Sequence, residues 1–208
     1  MPLAPPNDND RAKLHAEVNQ YINQCFIIAT TAITVSGVVL GLIVSGKDVG
    51  TGAPHVSETA FFLALVLLVI LAVLFVVSQI IQASIRVITS YLRITGASPW
   101  EEMYAQFTKQ SGQGKPVAWI GQREWMALIF GVLGAVATFT PFVLGGLLGA
   151  HQETKVAVLD TLLVVCFIAY ESLILLSAKG RLLDLGKGTT ERWRQLDAEI
   201  GNSREERG

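Results

Sequence analysis

Charged residues are scarce in this chain, and their absence from long stretches is the most informative property of the sequence. Only 16% of the 208 residues are charged, whereas 51% are hydrophobic and the mean hydropathy is +0.47. No Asp, Glu, Lys or Arg occurs in residues 18–46, 59–85 or 125–150, and residues 156–178 contain only two acids. Each stretch exceeds the roughly 20 helical residues that cross a hydrocarbon layer of about 30 Å. The sequence therefore predicts an all-α integral membrane protein.

Cysteine, histidine and catalytic motifs are also scarce. Cys25 and Cys166 both lie in apolar stretches, so we expect neither a structural disulfide nor a metal site with cysteine ligands. His55 and His151 fall in the two loops of one side and would form a surface metal site with Asp160, although chance placement explains them better.

The sequence contains no nucleophile elbow, phosphate-binding loop, HExxH pattern or dinucleotide fingerprint. A formal net charge of −1 gives no basis for nucleic-acid binding. We therefore expect a non-enzymatic protein with no cofactor, no metal and no nucleic-acid partner.

The chain is interpreted as one membrane domain, residues 1–208, with four spans. The spans cover approximately residues 22–44, 60–83, 125–148 and 156–178. Only Lys47 and Lys155 lie in the two short loops of one side, and every other Lys or Arg lies before the first span, between the second and third, or after the fourth. The positive-inside rule therefore places both termini and the central loop in the cytoplasm.

Along the first two spans, apolar or small residues recur at spacings that alternate between four and three. This heptad-like pattern continues beyond each span into polar sequence. In the first it comprises Leu14, Val18, Tyr21, Cys25, Ile28, Ala32, Val35 and Val39, and in the second Leu74, Ser78, Ile81, Ile85, Ile88 and Leu92. A helix from Glu58 to Ile94 is about 55 Å long, so about 25 Å of it extends past the bilayer. We predict a four-helix bundle of two transmembrane hairpins, with helices extending into a cytoplasmic region over about residues 84–118.

Two short helices are predicted outside the spans. After Gly96, Ser98 and Glu101 form a capping box that starts a helix over residues 99–110, which either lies in the membrane interface or packs on the extended helix. Its aromatic face, a candidate partner surface, contains Trp100, Tyr104 and Phe107. A second helix, over about residues 189–200, carries Trp193.

The segment ITSYLRITGASPWEE, residues 88–102, resembles a segment that follows a helical hairpin in small bacterial membrane proteins of uncharacterised function. The resemblance also covers the polar lead into the first span, residues 17–20. The resemblance implies a bacterial inner-membrane location and supplies no activity. Pore-forming effectors of bacterial defence are similar in architecture, because they also use helical hairpins with cytoplasmic extensions, but no motif matches.

Glu171 is the candidate site residue inside the membrane. It lies about 10 Å from the inner end of the fourth span, where a carboxylate is costly and normally faces a partner, a cavity or its own proton. Asp160 is eleven positions earlier and shares the same helix face within about 20°. The two acids mark either an ion or proton path, or a hydrogen-bonded lock at Glu171 and a hydrated or capping residue at Asp160.

Two small-xxx-small motifs predict close helix packing, Gly37 with Gly41 and Gly145 with Gly149. Such motifs serve either packing within one chain or an interface between subunits.

The leading interpretation is an oligomeric scaffold, sensor or pore-type module that acts through its cytoplasmic helices. Its expected partners are the lipid bilayer, further copies of the chain and a cytoplasmic protein. The alternative is a small ion or proton channel or transporter that uses Glu171. A membrane enzyme ranks third, because no cluster of His, Cys or acidic residues converges at one interface.

Overall fold

The computed structural model describes residues 7–45, 58–95, 122–148, 154–178, 188–189, 191–196 and 198. Four long helices account for most of them: α1 (Asp8–Ser45), α2 (Glu58–Ile94), α3 (Gln122–Leu148) and α4 (Thr154–Ala178). Residues 191–196 form a further helical stretch, and no strand occurs in these ranges. The prediction of an all-α chain is thus confirmed for the residues that the structure describes.

All four helices are long and apolar enough to cross a membrane. Their surfaces carry large apolar side chains that face away from the protein; Phe26 is 69% exposed, Val38 60% and Val158 67%. Water-soluble helices usually place polar residues on that face. The exposed apolar faces are therefore compatible with lipid as the surrounding solvent.

Helix α1 begins at a side-chain cap well before its apolar part. The backbone N–H of Asp10 donates to Oδ1 of Asn7 over 2.8 Å, and Asp8 and Asp10 place negative charge in the first turn. The helix then continues for 38 residues without interruption. It therefore starts ahead of the first apolar stretch, as the heptad spacing predicts.

Helix α2 has the bounds that the sequence predicts, Glu58 to Ile94, over 37 residues. Its last turn continues with a hydrogen bond from the N–H of Thr95 to the carbonyl of Tyr91 at 3.1 Å. Along the predicted seam, Ser78 and Leu92 are fully buried. The segment beyond Gly96, which includes the predicted helix over residues 99–110, lies outside the described residues.

Residue contacts divide the chain into two compact units, and both α1 and α2 contribute to each of them. The terminal unit contains the described residues within Met1–Cys25, Ile80–Ile120 and Asp184–Gly208. The span unit contains those within Phe26–Gln79 and Gly121–Leu183, and hence most of the four apolar stretches.

The terminal unit joins the end of α2 to the chain's C-terminal region. The rings of Tyr91 and Trp193 lie 5.0 Å apart between centroids, with an interplanar angle of 52°. Trp193 follows a turn at Gly188, whose φ of 76° is the left-handed conformation that glycine adopts without strain, and the N–H of Arg192 donates to the Gly188 carbonyl. Trp193 is thereby positioned against the extension of α2.

In the span unit, aromatic pairs align neighbouring helices in antiparallel fashion. Phe61 and Phe75 of α2 contact Phe142 and Phe130 of α3, with ring centroids 5.7 and 5.6 Å apart. The residue numbers of the contacts increase along α2 and decrease along α3, so the two helices are antiparallel. The two pairs also fix the register of α2 against α3. Phe139 of α3 likewise contacts the ring of Phe167 in α4 at 5.7 Å.

Candidate functional site

The candidate site of the span unit forms where α4 packs against two glycines of α3. Tyr170 is 4% exposed, and its hydroxyl donates to the main-chain carbonyl of Phe130 over 2.7 Å. Its ring lies over Gly134, where an added Cβ atom would overlap the ring carbons Cε1 and Cδ1. Only glycine at position 134 therefore allows Tyr170 to reach the backbone of α3.

Glu171 follows directly and rests on the second glycine. Its carboxyl oxygens lie 3.5 Å (Oε2) and 3.8 Å (Oε1) from the position that a Cβ atom would take at Gly131. Oε1 is buried and has no hydrogen-bond partner among the described residues. Because Gly131 and Gly134 are three residues apart, they share a face of α3, and adjacent residues of α4 occupy both.

Glu171 and Tyr170, although adjacent on α4, differ in what their polar groups can do. A carboxyl oxygen that is buried without a protein donor can accept a hydrogen bond from a water molecule, bind a proton or bind a cation. The neighbouring Tyr170, by contrast, has its hydroxyl engaged with the backbone and orients α4. Tyr170 therefore has a packing role, whereas a chemical role for the carboxyl of Glu171 stays a prediction.

Asp160 lies at a different level of α4. Eleven residues separate it from Glu171, which corresponds to about 16 Å along the helix axis. Asp160 is half-buried and engaged in an interaction of its own. The structure does not bring the two acids into one site, and their shared role in a path stays a prediction.

Two threonines of α1 form hydrogen bonds within their own helix. The hydroxyls of Thr30 and Thr34 donate to carbonyls of their own helix, Thr30 to Phe26 and Ile27, and Thr34 to Thr30. Hydrogen bonds of this kind satisfy the hydroxyl within the helix and form no contact between helices.

The glycine motifs predicted for packing have a different environment from Gly131 and Gly134. A Cβ atom at Gly37 or Gly41 would meet nothing within 4 Å among the described residues. Gly145 belongs to α3, whereas Gly149 lies outside the described residues. No contact in the described part of the chain uses Gly37 or Gly41, so their packing role stays a prediction.

Several predicted residues fall outside the described ranges: Trp100, Tyr104, Phe107, His55 and His151. In the part of the chain that the structure describes, no three His, Cys, Asp or Glu residues are grouped so as to hold a metal ion.

Sequence reasoning identified Glu171 but missed its neighbours on α3. The available signal was a run of small residues at spacings of four, three and four, comprising Ala127, Gly131, Gly134 and Thr138. The pairs Ala127 with Gly131 and Gly134 with Thr138 have small-xxx-small spacing, but such spacing does not specify which side chain of another helix packs there.

No family model matches the chain, and no curated protein or solved structure is significantly similar to it.

Proposed function

We propose that the chain is a multi-pass protein of the bacterial inner membrane, a four-helix bundle of two transmembrane hairpins with both termini in the cytoplasm. The exposed apolar faces of all four helices support insertion. The orientation is supported by the charge distribution, because Lys47 and Lys155 are the only Lys or Arg residues between the first and second and between the third and fourth predicted spans.

Within that membrane, we propose a non-enzymatic, oligomeric scaffold, sensor or pore-type module that acts through its cytoplasmic helices. One observation carries this proposal: the stacking of Tyr91 on Trp193 in the terminal unit. About 20 residues of α2 are enough to cross the bilayer, so its 37 residues leave about 25 Å beyond it. An extension of this length that also holds the C-terminal region is suited to contact a cytoplasmic protein.

The proposal is tested by proximity labelling from a ligase fused to the C-terminus in native cells. Trp193→Ala removes the ring that contacts Tyr91, whereas Gln195→Ala is a matched control at an exposed position two residues away. We expect Trp193→Ala to reduce labelling of a defined set of cytoplasmic proteins by about fivefold or more, as loss of an aromatic contact residue does at interfaces. Equal labelling in wild type and both variants would contradict the proposal.

A second candidate function, a small ion or proton channel or transporter, is favoured by Glu171. Its buried Oε1 atom has no protein partner among the described residues, and the carboxyl lies against Gly131 of α3. Residues of this type inside membrane helices commonly form proton and ion pathways.

Flux through proteoliposomes distinguishes the two candidates. A channel predicts proton or cation flux that Glu171→Gln reduces by about tenfold or more, since the amide keeps the size of the carboxyl but cannot carry its charge. It also predicts flux that survives removal of residues 188–208. A scaffold predicts no flux above empty liposomes, and an active Glu171→Gln variant excludes a path through this carboxyl.

A further inference from the structure

Two fully buried polar side chains of the span unit have no hydrogen-bond partner among the described residues. Gln79 of α2 is 0% exposed, and both its amide nitrogen Nε2 and its amide oxygen Oε1 are unpartnered. Ser177 of α4 is also 0% exposed, and its Oγ is unpartnered. Such groups are costly in an apolar interior, and in native proteins they commonly bind internal water.

The register of α2 against α3 gives the level of Gln79. Phe75 contacts Phe130, and Gln79 lies one turn further along α2, about 6 Å away. Since the two helices are antiparallel, Gln79 is level with about residue 126 of α3. A spacing of four residues also places Gln79 on the face of α2 that carries Phe75.

The register of α4 against α3 gives the same level for Ser177. Glu171 lies against Gly131, and Ser177 is six residues further along α4, about 9 Å away. Because these helices are also antiparallel, Ser177 is level with about residue 125 of α3. Ser177 is seven residues from Tyr170 and shares the face that packs on α3.

Along the axis of α3 the two side chains thus lie at the same level, in a layer between its Gln122 end and Glu171. On the side of the helix end, Arg123 and Glu124 are charged residues about one turn or less away. On the other side, Ala127 and Gly131 are four residues apart on α3 and present little volume. Ser177 and Glu171 are about 9 Å apart along the axis of α4, a rise that corresponds to about three hydrogen bonds between water molecules.

We infer that Gln79 and Ser177 bind internal water, and that this water connects the carboxyl of Glu171 with solvent at the Gln122 end of α3. The amide of Gln79 donates and accepts, as does the hydroxyl of Ser177, so both stabilise water in either orientation. This inference deepens the second candidate function and uses the same carboxyl. It requires only proton exchange with solvent and no conduction across the membrane.

Infrared spectroscopy of the reconstituted full-length chain tests the inference. The sample is acidified until the carboxyl band of Glu171 appears, identified by its absence in Glu171→Gln, and H₂O is then replaced by D₂O. We expect this carboxyl to exchange about 100-fold faster than the protected backbone amides of the helices. A Glu171 carboxyl that exchanges no faster than those amides would overturn the inference.

Variants then identify the residues that hold the water. We expect Gln79→Leu combined with Ser177→Ala to slow the exchange of Glu171 by about tenfold or more, because the layer becomes apolar. Ser172→Ala, at an exposed position of α4, is the matched control and leaves the rate unchanged. If the double variant does not fold, Gln79→Met and Ser177→Ala are measured singly, and unchanged rates in both contradict the assignment.

The exchange experiment is independent of flux. A chain whose Glu171 exchanges rapidly but which conducts no ions would exclude the channel and retain the internal water. A chain that conducts ions through Glu171 although Gln79 and Ser177 have no effect on exchange would retain the channel and overturn the water site.

Discussion

The hydroxyl of Tyr170 donates a hydrogen bond to the main-chain carbonyl of Phe130 across the interface between α4 and α3, over 2.7 Å. The ring reaches this carbonyl because position 134 is glycine. The next residue along α4 is Glu171, and its carboxyl consequently lies against Gly131. This contact therefore determines where the carboxyl of Glu171 is held.

Gly134→Ala should destabilise the packing of α3 against α4. The added methyl group overlaps the ring of Tyr170, and overpacking of this kind costs about 1–3 kcal/mol. The measurement is the free energy of unfolding of the purified protein in detergent. Gly41→Ala is the matched control, since a Cβ atom there meets nothing within 4 Å among the described residues. Equal loss of stability in the two variants would show that the ring does not occupy the space over Gly134.

Tyr170→Phe keeps the ring and removes only the hydroxyl. We expect the free energy of unfolding to fall by about 1 kcal/mol, the usual net contribution of one buried hydrogen bond. The same unfolding assay measures the change. A variant as stable as wild type would mean that the bond to the Phe130 carbonyl contributes nothing.

Glu171→Gln distinguishes a helix lock from a carboxyl available for chemistry. Oε1 has no hydrogen-bond partner among the described residues, so the substitution should change the free energy of unfolding by less than about 0.5 kcal/mol. Loss of a hydrogen-bonded lock would instead cost about 1 kcal/mol or more. A clear destabilisation would therefore favour the structural role that the sequence left open.

Tyr91→Ala should release the C-terminal region from α2. Trp193 contacts Tyr91 with a centroid distance of 5.0 Å, and without that ring the region around residues 188–196 loses a packed contact. Limited proteolysis should then cleave this region about tenfold faster, because cleavage follows local opening. Tyr91→Phe retains the ring and should behave as wild type. Unchanged cleavage in Tyr91→Ala would contradict the role of the stacked pair in the terminal unit.

The helices were predictable because their signals are local. The bounds of α2 follow from the apolar stretch, the seam that continues to Leu92 and the glycine at position 96. The early start of α1 likewise follows from heptad spacing, and its Asn7 cap is a standard helix start.

The sequence predicts the acidic residue of the site but not the residues that surround it. An acid inside an apolar stretch is visible in the sequence, and Glu171 was selected for that reason. Its location against Gly131 depends on the register between α3 and α4, which tertiary contacts determine and helical periodicity does not. Gly37 and Gly41 form a packing motif that is visible in the sequence, yet a Cβ atom at either would meet nothing within 4 Å among the described residues. A packing motif does not specify which surface it contacts.

The central claim is that four apolar helices cross a bilayer and leave the extended ends of α1 and α2 in the cytoplasm. Reporter fusions in bacterial cells test it most directly, with an alkaline phosphatase that is active only outside the inner membrane. We expect high phosphatase activity for fusions at residues 52 and 152, and none for fusions at residue 118 or at the C-terminus. Phosphatase activity at residue 118 or at the C-terminus, or its absence at residue 52 or 152, would contradict the four-span topology.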